Sequence, residues 1–91
     1  MKYIVYILYS RLTDRYYIGQ TNDIQRRLSE HNDPTKNSFT KHYQPWRLLF
    51  KEEFLNRTEA VRVERYLKSL KNKDRLKQYI AGWRSSTSRG S

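Results

Sequence analysis

Two tyrosines, a glycine, an arginine and a histidine stand near the start of this chain, at Tyr6, Tyr17, Gly19, Arg27 and His31, and a glutamate, Glu64, stands far downstream inside a helical pattern. Arginine offers a planar fork to a phosphate. Glycine lets a phosphate approach the backbone closely, or simply ends a strand. Tyrosine and histidine can move protons, and a carboxylate can hold a divalent cation. Together these types suit phosphate chemistry, but each has a plainer reading. A strand tyrosine is commonly a core aromatic. Arg27, beside Arg26, reads equally as an exposed helix residue, and His31 as a residue that complements a helix carboxyl end. On a helical wheel Glu64 falls between Ala60 and Leu67, where an unpaired carboxylate is costly. Lys68, four residues on, could pair with it in the favourable order. His31 and His42 do not make a zinc pair, and cysteine is absent.

Residues 2–9 place Tyr3, Val5, Ile7 and Tyr9 on one face and Ile4, Tyr6 and Leu8 on the other. Both faces are apolar or aromatic, which predicts a central strand covered on both sides. A polar loop over Ser10–Thr13 leads into a second short strand, Tyr16–Gln20. That loop would pair Tyr9 with Asp14 and bring Tyr6 opposite Tyr17, on one face of the sheet. A helix follows, capped by Thr21 or Asn22, with Ile24 and Leu28 as its apolar stripe and Arg27 and His31 beside that stripe. Asn32-Asp33-Pro34 ends it. Residues 33–45 are loop in composition. Trp46–Glu52 suits a third strand with Trp46, Leu48 and Phe50 facing inward. Asn56 and Glu59 form a capping pair for a helix from Arg57 to Leu70, and a further helix runs from Asp74 to Trp83. The expected fold is α/β, of the α+β kind: a small three-stranded antiparallel sheet flanked by three helices in the order β-β-α-β-α-α. The domain is expected over 1–83, with a low-complexity, disordered tail over 84–91.

The chain has 91 residues, room for one modest core. Its 19 Lys and Arg against 9 Asp and Glu give a formal charge of +10, which points to a polyanionic partner, most simply nucleic acid. No apolar run is long enough to span a bilayer, and the amino terminus does not resemble a secretory signal. The expected location is the cytoplasm, without membrane association.

Tyr6 in a strand, Tyr17-Ile18-Gly19 in the next, Arg27 and His31-Asn32 in a helix and Glu64 in a later helix together resemble the GIY-YIG nuclease superfamily. The similarity is to its small single-domain members related to the nuclease domain of the excinuclease C subunit, and it covers residues 2 to about 81. The first motif stands here as Ile4-Val5-Tyr6, with isoleucine in place of the family glycine. The larger nucleases also use a late polar residue near the site, for which Asn72 is a candidate.

The resemblance implies hydrolysis of phosphodiester bonds in nucleic acid, DNA foremost, in repair or structure-specific processing. Mg2+ or Mn2+ would be held by Glu64, a metal that needs few protein ligands because it keeps most of its waters. Arg27 would hold the phosphate. Tyr6 and Tyr17 would position and deprotonate the attacking water, either being the base, and the base would need its pKa lowered by Arg27 or the metal. His31 would relay the proton or contact phosphate. Gly19, Lys36, Lys41, Arg47, Lys68, Lys71 and Lys73 would meet the nucleic-acid backbone. The alternative is a binding module of the same fold that grips nucleic acid without cutting it. A short chain suits a monomer or weak dimer, with a partner protein supplying specificity.

Overall fold

The structure is a computed structural model. It describes residues 2–35, 42–70 and 72–90, and only the backbone of 84–90. Three strands, β1 (Tyr3–Ser10), β2 (Arg15–Thr21) and β3 (Trp46–Phe54), and three helices, α1 (Ile24–His31), α2 (Arg57–Ser69) and α3 (Lys73–Gly90), follow in the expected order β-β-α-β-α-α. The sheet is antiparallel with strand order β2-β1-β3, so β1 is central. Val5, Tyr6, Ile7 and Leu8 have no exposed surface. Both faces of β1 are therefore covered, as the two-sided apolar pattern requires. The bounds of α3 take in residues 84–90, expected above as a disordered tail. The capping pair at the start of α2 forms as expected, the Asn56 side chain accepting from the Glu59 N–H at 2.9 Å.

Two clusters fill the space on either side of the sheet. Val5, Ile7 and Phe50 pack beneath Ala60 and Leu67 of α2 and Leu76 and Ile80 of α3. Ile4, Tyr6, Leu8 and Trp46 pack beneath Ile24 and Leu28 of α1. Each buried Leu, Ile or Phe contributes about 1.5–3 kcal/mol relative to exposure.

Local geometry corrects three expectations. The hairpin register pairs Tyr6 with Gly19 and Leu8 with Tyr17, not Tyr6 with Tyr17. The loop is Arg11–Asp14, and it closes through Asp14 at φ 53°, a left-handed conformation that aspartate tolerates better than most residues. The displacement is two residues, so alternation still leaves Tyr6 and Tyr17 on one face, as diagonal neighbours. Strand β3 carries a bulge: Ile7 pairs with Phe50 but Leu8 pairs with Leu48. The extra residue, Leu49, flips the alternation. Trp46 and Leu48 thus face α1 while Phe50 faces α2 and α3, where a single inward face was expected. Helix α1 is capped by Asp23, which accepts from the Arg26 N–H at 3.1 Å, rather than by Thr21 or Asn22. Thr21 instead accepts from the Asp23 N–H and so sets the turn that presents the cap. Finally, the Asn72 carbonyl group of the side chain accepts from the Asp74 N–H at 2.7 Å, which gives this residue a capping task at the start of α3.

Candidate functional site

Gly19 decides where the Tyr6 ring can lie. Tyr6 faces it across the β1–β2 pair, and a Cβ added to Gly19 would meet the Tyr6 phenol oxygen at 2.5 Å and Cζ at 2.7 Å. The ring therefore lies across bare backbone, and its hydroxyl reaches over β2, an outer strand of the sheet. The glycine is needed for a close approach, that of the Tyr6 ring to the backbone. Tyr17 lies beside it, with ring centroids 6.3 Å apart and planes 24° from parallel.

Helix α1 delivers the next two groups. With Ile24 and Leu28 docked on the sheet, Arg27 and His31 project at the margin of that contact. The His31 ring sits 4.6 Å from the Tyr17 ring, and its Nε2 is 3.3 Å from the Tyr6 hydroxyl. Trp46 closes the aromatic wall, 6.2 Å from Tyr17 and 6.4 Å from His31. Asn32 fixes the helix end against β3 by accepting from the Trp46 N–H at 2.6 Å and donating to its carbonyl at 2.9 Å. Gln44 donates to the His31 carbonyl at 2.8 Å. Arg27 is held from one side by Glu30 at 3.1 Å and points its guanidinium at the Tyr6 phenol.

Burial and charge set the proton affinities. Burial pushes the Tyr6 phenol up; the neighbouring Arg27 guanidinium opposes this without cancelling it, and Tyr17 and Glu64 add to the rise. Of the two tyrosines, Tyr6 therefore does not gain from Arg27 the lowered pKa expected of a base, because desolvation outweighs the charge. Burial and Arg27 both push His31 down, with Glu30 opposing. His31 is therefore a neutral imidazole at pH 7, able to accept a proton on one nitrogen. Beside Tyr6, Arg27 holds its own proton more firmly than an isolated arginine.

Glu64 arrives from α2, on the opposite side of the sheet from α1. It is close enough for its charge to register at Tyr6. Its side chain is 20% exposed, and Lys68 Nζ sits 3.0 Å from Oε2, the helix pair expected from their spacing. Among the described residues no group of three or more His, Asp or Glu could hold a metal. The donor set is one carboxylate whose charge is felt at the Tyr6 phenol, with the Arg27 guanidinium beside that phenol. That set fits Mg2+ or Mn2+, which take few protein ligands and complete their shell with water and substrate oxygens, and it does not fit zinc.

Of the remaining expected residues, Arg47 is exposed on β3 and Lys73 pairs with Asp14 at 2.9 Å. Lys68 and Lys73 line one groove with Arg15, between the hairpin and the α2–α3 junction. Lys36, Lys41 and Lys71 lie outside the described residues. From sequence Trp46 reads only as an inward-facing strand residue and Asn32 only as a helix stop within the His31-Asn32 match, and Glu30 carries no signal. Gln20, beside Gly19, has a buried amide nitrogen without a hydrogen-bond partner among the described residues, and nothing in its sequence context marks it. No helix among the described residues is long and apolar enough to cross a membrane.

Comparison with known proteins agrees with this arrangement. Residues 2–79 match the family described as the GIY-YIG catalytic domain. The chain is 38% identical to the UPF0213 protein YazA of Bacillus subtilis over 71 residues, covering 78% of this chain and 71% of that one. It is 41% identical to the UPF0213 protein lin0209 of Listeria innocua over 61 residues, 65% of this chain and 68% of that one. Among solved structures, the solution NMR structure of the UPF0213 protein BH0048 from Bacillus halodurans is similar, with TM-score 0.57 and 30% identity over 89% of this chain and 84% of that one. The chain belongs to the GIY-YIG family, a nuclease domain family, and that membership supports a nuclease-type function.

Proposed function

We propose that this member of the GIY-YIG family is a divalent-metal-dependent endonuclease that hydrolyses phosphodiester bonds of DNA, in repair or structure-specific processing in the cytoplasm. The observation that carries this reading is the convergence of Tyr6, Tyr17, Arg27 and His31 over Gly19, within electrostatic reach of Glu64. Arg27 binds a phosphate oxygen through its fork and orients the scissile bond. Glu64 would hold Mg2+ or Mn2+, which when bound supplies charge stabilisation at the phosphate and the leaving oxygen. Tyr17 positions the attacking water by hydrogen bonding. Tyr6 takes the proton of that water while its own phenol proton passes to Nε2 of neutral His31. The relay avoids a free tyrosinate, which the raised pKa of Tyr6 disfavours. Lys68, Lys73 and Arg47, together with Lys36, Lys41 and Lys71, contact backbone phosphates, and a protein partner or a weak dimer supplies substrate choice.

A second reading, a binding module that does not cut, draws on one observation: Lys68 already neutralises Glu64 at 3.0 Å. Cleavage of branched, nicked and single-stranded DNA with Mg2+ or Mn2+, with binding measured in parallel in EDTA, separates the two. The nuclease reading expects metal-dependent products, and losses of about 10²–10³-fold or more for Arg27→Ala and for Glu64→Ala with the fold retained. Binding in EDTA with no product in either metal supports the module. Glu64→Ala protein that nicks DNA as fast as the wild type sinks the metal assignment.

A further inference from the structure

The exposed side of α2 carries a feature that the site does not use. Arg57, Arg62 and Arg65 flank Val61 along a shallow groove completed by Thr58. All three arginines are exposed, and none is in an ion pair among the described residues. Their placement works against the helix. Arg57 sits in the first turn, against the positive end of the helix dipole. Arg62 and Arg65, and again Arg65 and Lys68, are like charges three residues apart, a destabilising spacing. A row of charges that opposes its own helix is explained by a polyanion that neutralises it.

Position says which polyanion. Arg57, Val61, Glu64 and Lys68 fall on successive turns of one ridge, so Arg57 shares a side of the helix with the proposed metal carboxylate, about 10 Å along the axis from it, and Arg62 and Arg65 carry the charge around the helix from there. From Arg57 to Arg65 the helix advances about 12 Å, at ~1.5 Å per residue. That length matches about three nucleotides of one DNA strand at ~3.4 Å each. Val61 is the only apolar residue among those lining the groove, too little for a helix that lies in a membrane surface.

We propose that the Arg57–Arg62–Arg65 face of α2 binds the phosphodiester backbone of the DNA substrate flanking the cleaved bond. The proposal rests on the nuclease reading and adds to it a binding track that its lysines do not include. The test compares wild type, the triple variant R57Q/R62Q/R65Q and a charge-matched control, K2Q/R75Q/K77Q. Binding to fluorescein-labelled nicked duplex and single-stranded DNA is measured in EDTA across a salt series, with thermal melting alongside. The expected result is a fall of about 2–3 in the slope of log K against log salt for the triple variant, at ~0.9 per lost duplex contact and ~0.7 per single-strand contact. Its affinity drops at least tenfold more than that of the control, and its melting temperature stays level or rises, since unfavourable charges have been removed.

The proposal is overturned if the triple variant keeps the wild-type slope, if it loses no more than the control, or if polyglutamate displaces wild-type protein from the face as well as DNA does. Wild type that cleaves DNA while the triple variant binds it normally removes this track and leaves the nuclease reading standing. Wild type that does not bind DNA removes both.

Discussion

Gly19 and His31 show how single residues set this site. Gly19→Ala would place a methyl group 2.5 Å from the Tyr6 hydroxyl and 2.7 Å from Cζ. The end of an exposed tyrosine could swing aside, but Tyr6 has no exposed surface and is packed under α1. The ring must therefore shift within the core, at a cost of about 1–3 kcal/mol. Urea unfolding should show that loss, and DNA cleavage should fall with it because Tyr6 leaves His31. A Gly19→Ala protein of wild-type stability and activity would mean that the ring has room elsewhere. His31 makes a prediction about pH. Its folded-state pKa lies below the ordinary value of about 6.5 because burial and Arg27 both disfavour the imidazolium. Below pH ~6.5 the unfolded chain binds a proton that the folded chain resists, so stability is present above that pH and is lost as pH falls through the folded-state value. Melting temperatures measured between pH 8 and pH 5 should decline in the wild type and decline less in His31→Gln. Equal declines would assign the acid sensitivity to other groups.

At the scale of elements, the α1–β3 junction holds the site together, and it also shows how far sequence can reach. Asn32 takes the place of a neighbouring strand on the outer edge of β3, satisfying the N–H and the carbonyl of Trp46 at once. Asn32→Ala leaves both buried groups without that partner and should cost about 1–3 kcal/mol in urea unfolding. It should also weaken cleavage, because His31 and the Trp46 wall lose their common anchor. An unchanged midpoint would show that water substitutes fully at that position. The element order, the central β1 and the apolar stripes of α1 and α2 were legible because each is a local periodicity. The shared face of Tyr6 and Tyr17 was legible despite a wrong register, since a two-residue displacement preserves the side of a strand. The β3 bulge was not legible: Leu48 and Leu49 are equally apolar, and only the competing demands of Trp46 beneath α1 and Phe50 beneath α2 decide which one is extra. The Asn32–Trp46 clamp was hidden for a related reason, since a helix-stop asparagine carries no mark of a partner fourteen residues away. From its spacing Glu64 reads only as a helix-edge carboxylate beside Lys68, and its metal role rests on the family resemblance. Its nearness to Tyr6 depends on how the helix packs around the sheet, which no wheel contains.

The whole molecule joins two faces of one thin sheet. Tyr6, Tyr17, Arg27 and His31 belong to the α1 side and Glu64 to the helix on the other side, so the proposed metal at Glu64 would tie the two cores together. A ligand that binds only the folded chain stabilises it by mass action, by about 1.4 kcal/mol at ten times its Kd. In a domain of this size that corresponds to a rise of roughly 5–10 °C in melting temperature. A Mn2+ titration without DNA should therefore raise the melting temperature of the wild type, and EDTA should reverse the rise. Glu64→Gln, which keeps the shape of the side chain but removes its charge, should abolish the shift. Arg27→Ala should retain it or enlarge it, because Arg27 is assigned to the phosphate and its positive charge opposes a cation nearby. The pattern separates loss of metal from loss of substrate in two variants that would be equally dead in a cleavage assay. A Glu64→Gln protein that still responds to Mn2+ like the wild type would place the metal elsewhere. A wild type that never responds, although it cleaves DNA, would mean that the ion enters only with the phosphate that completes its shell.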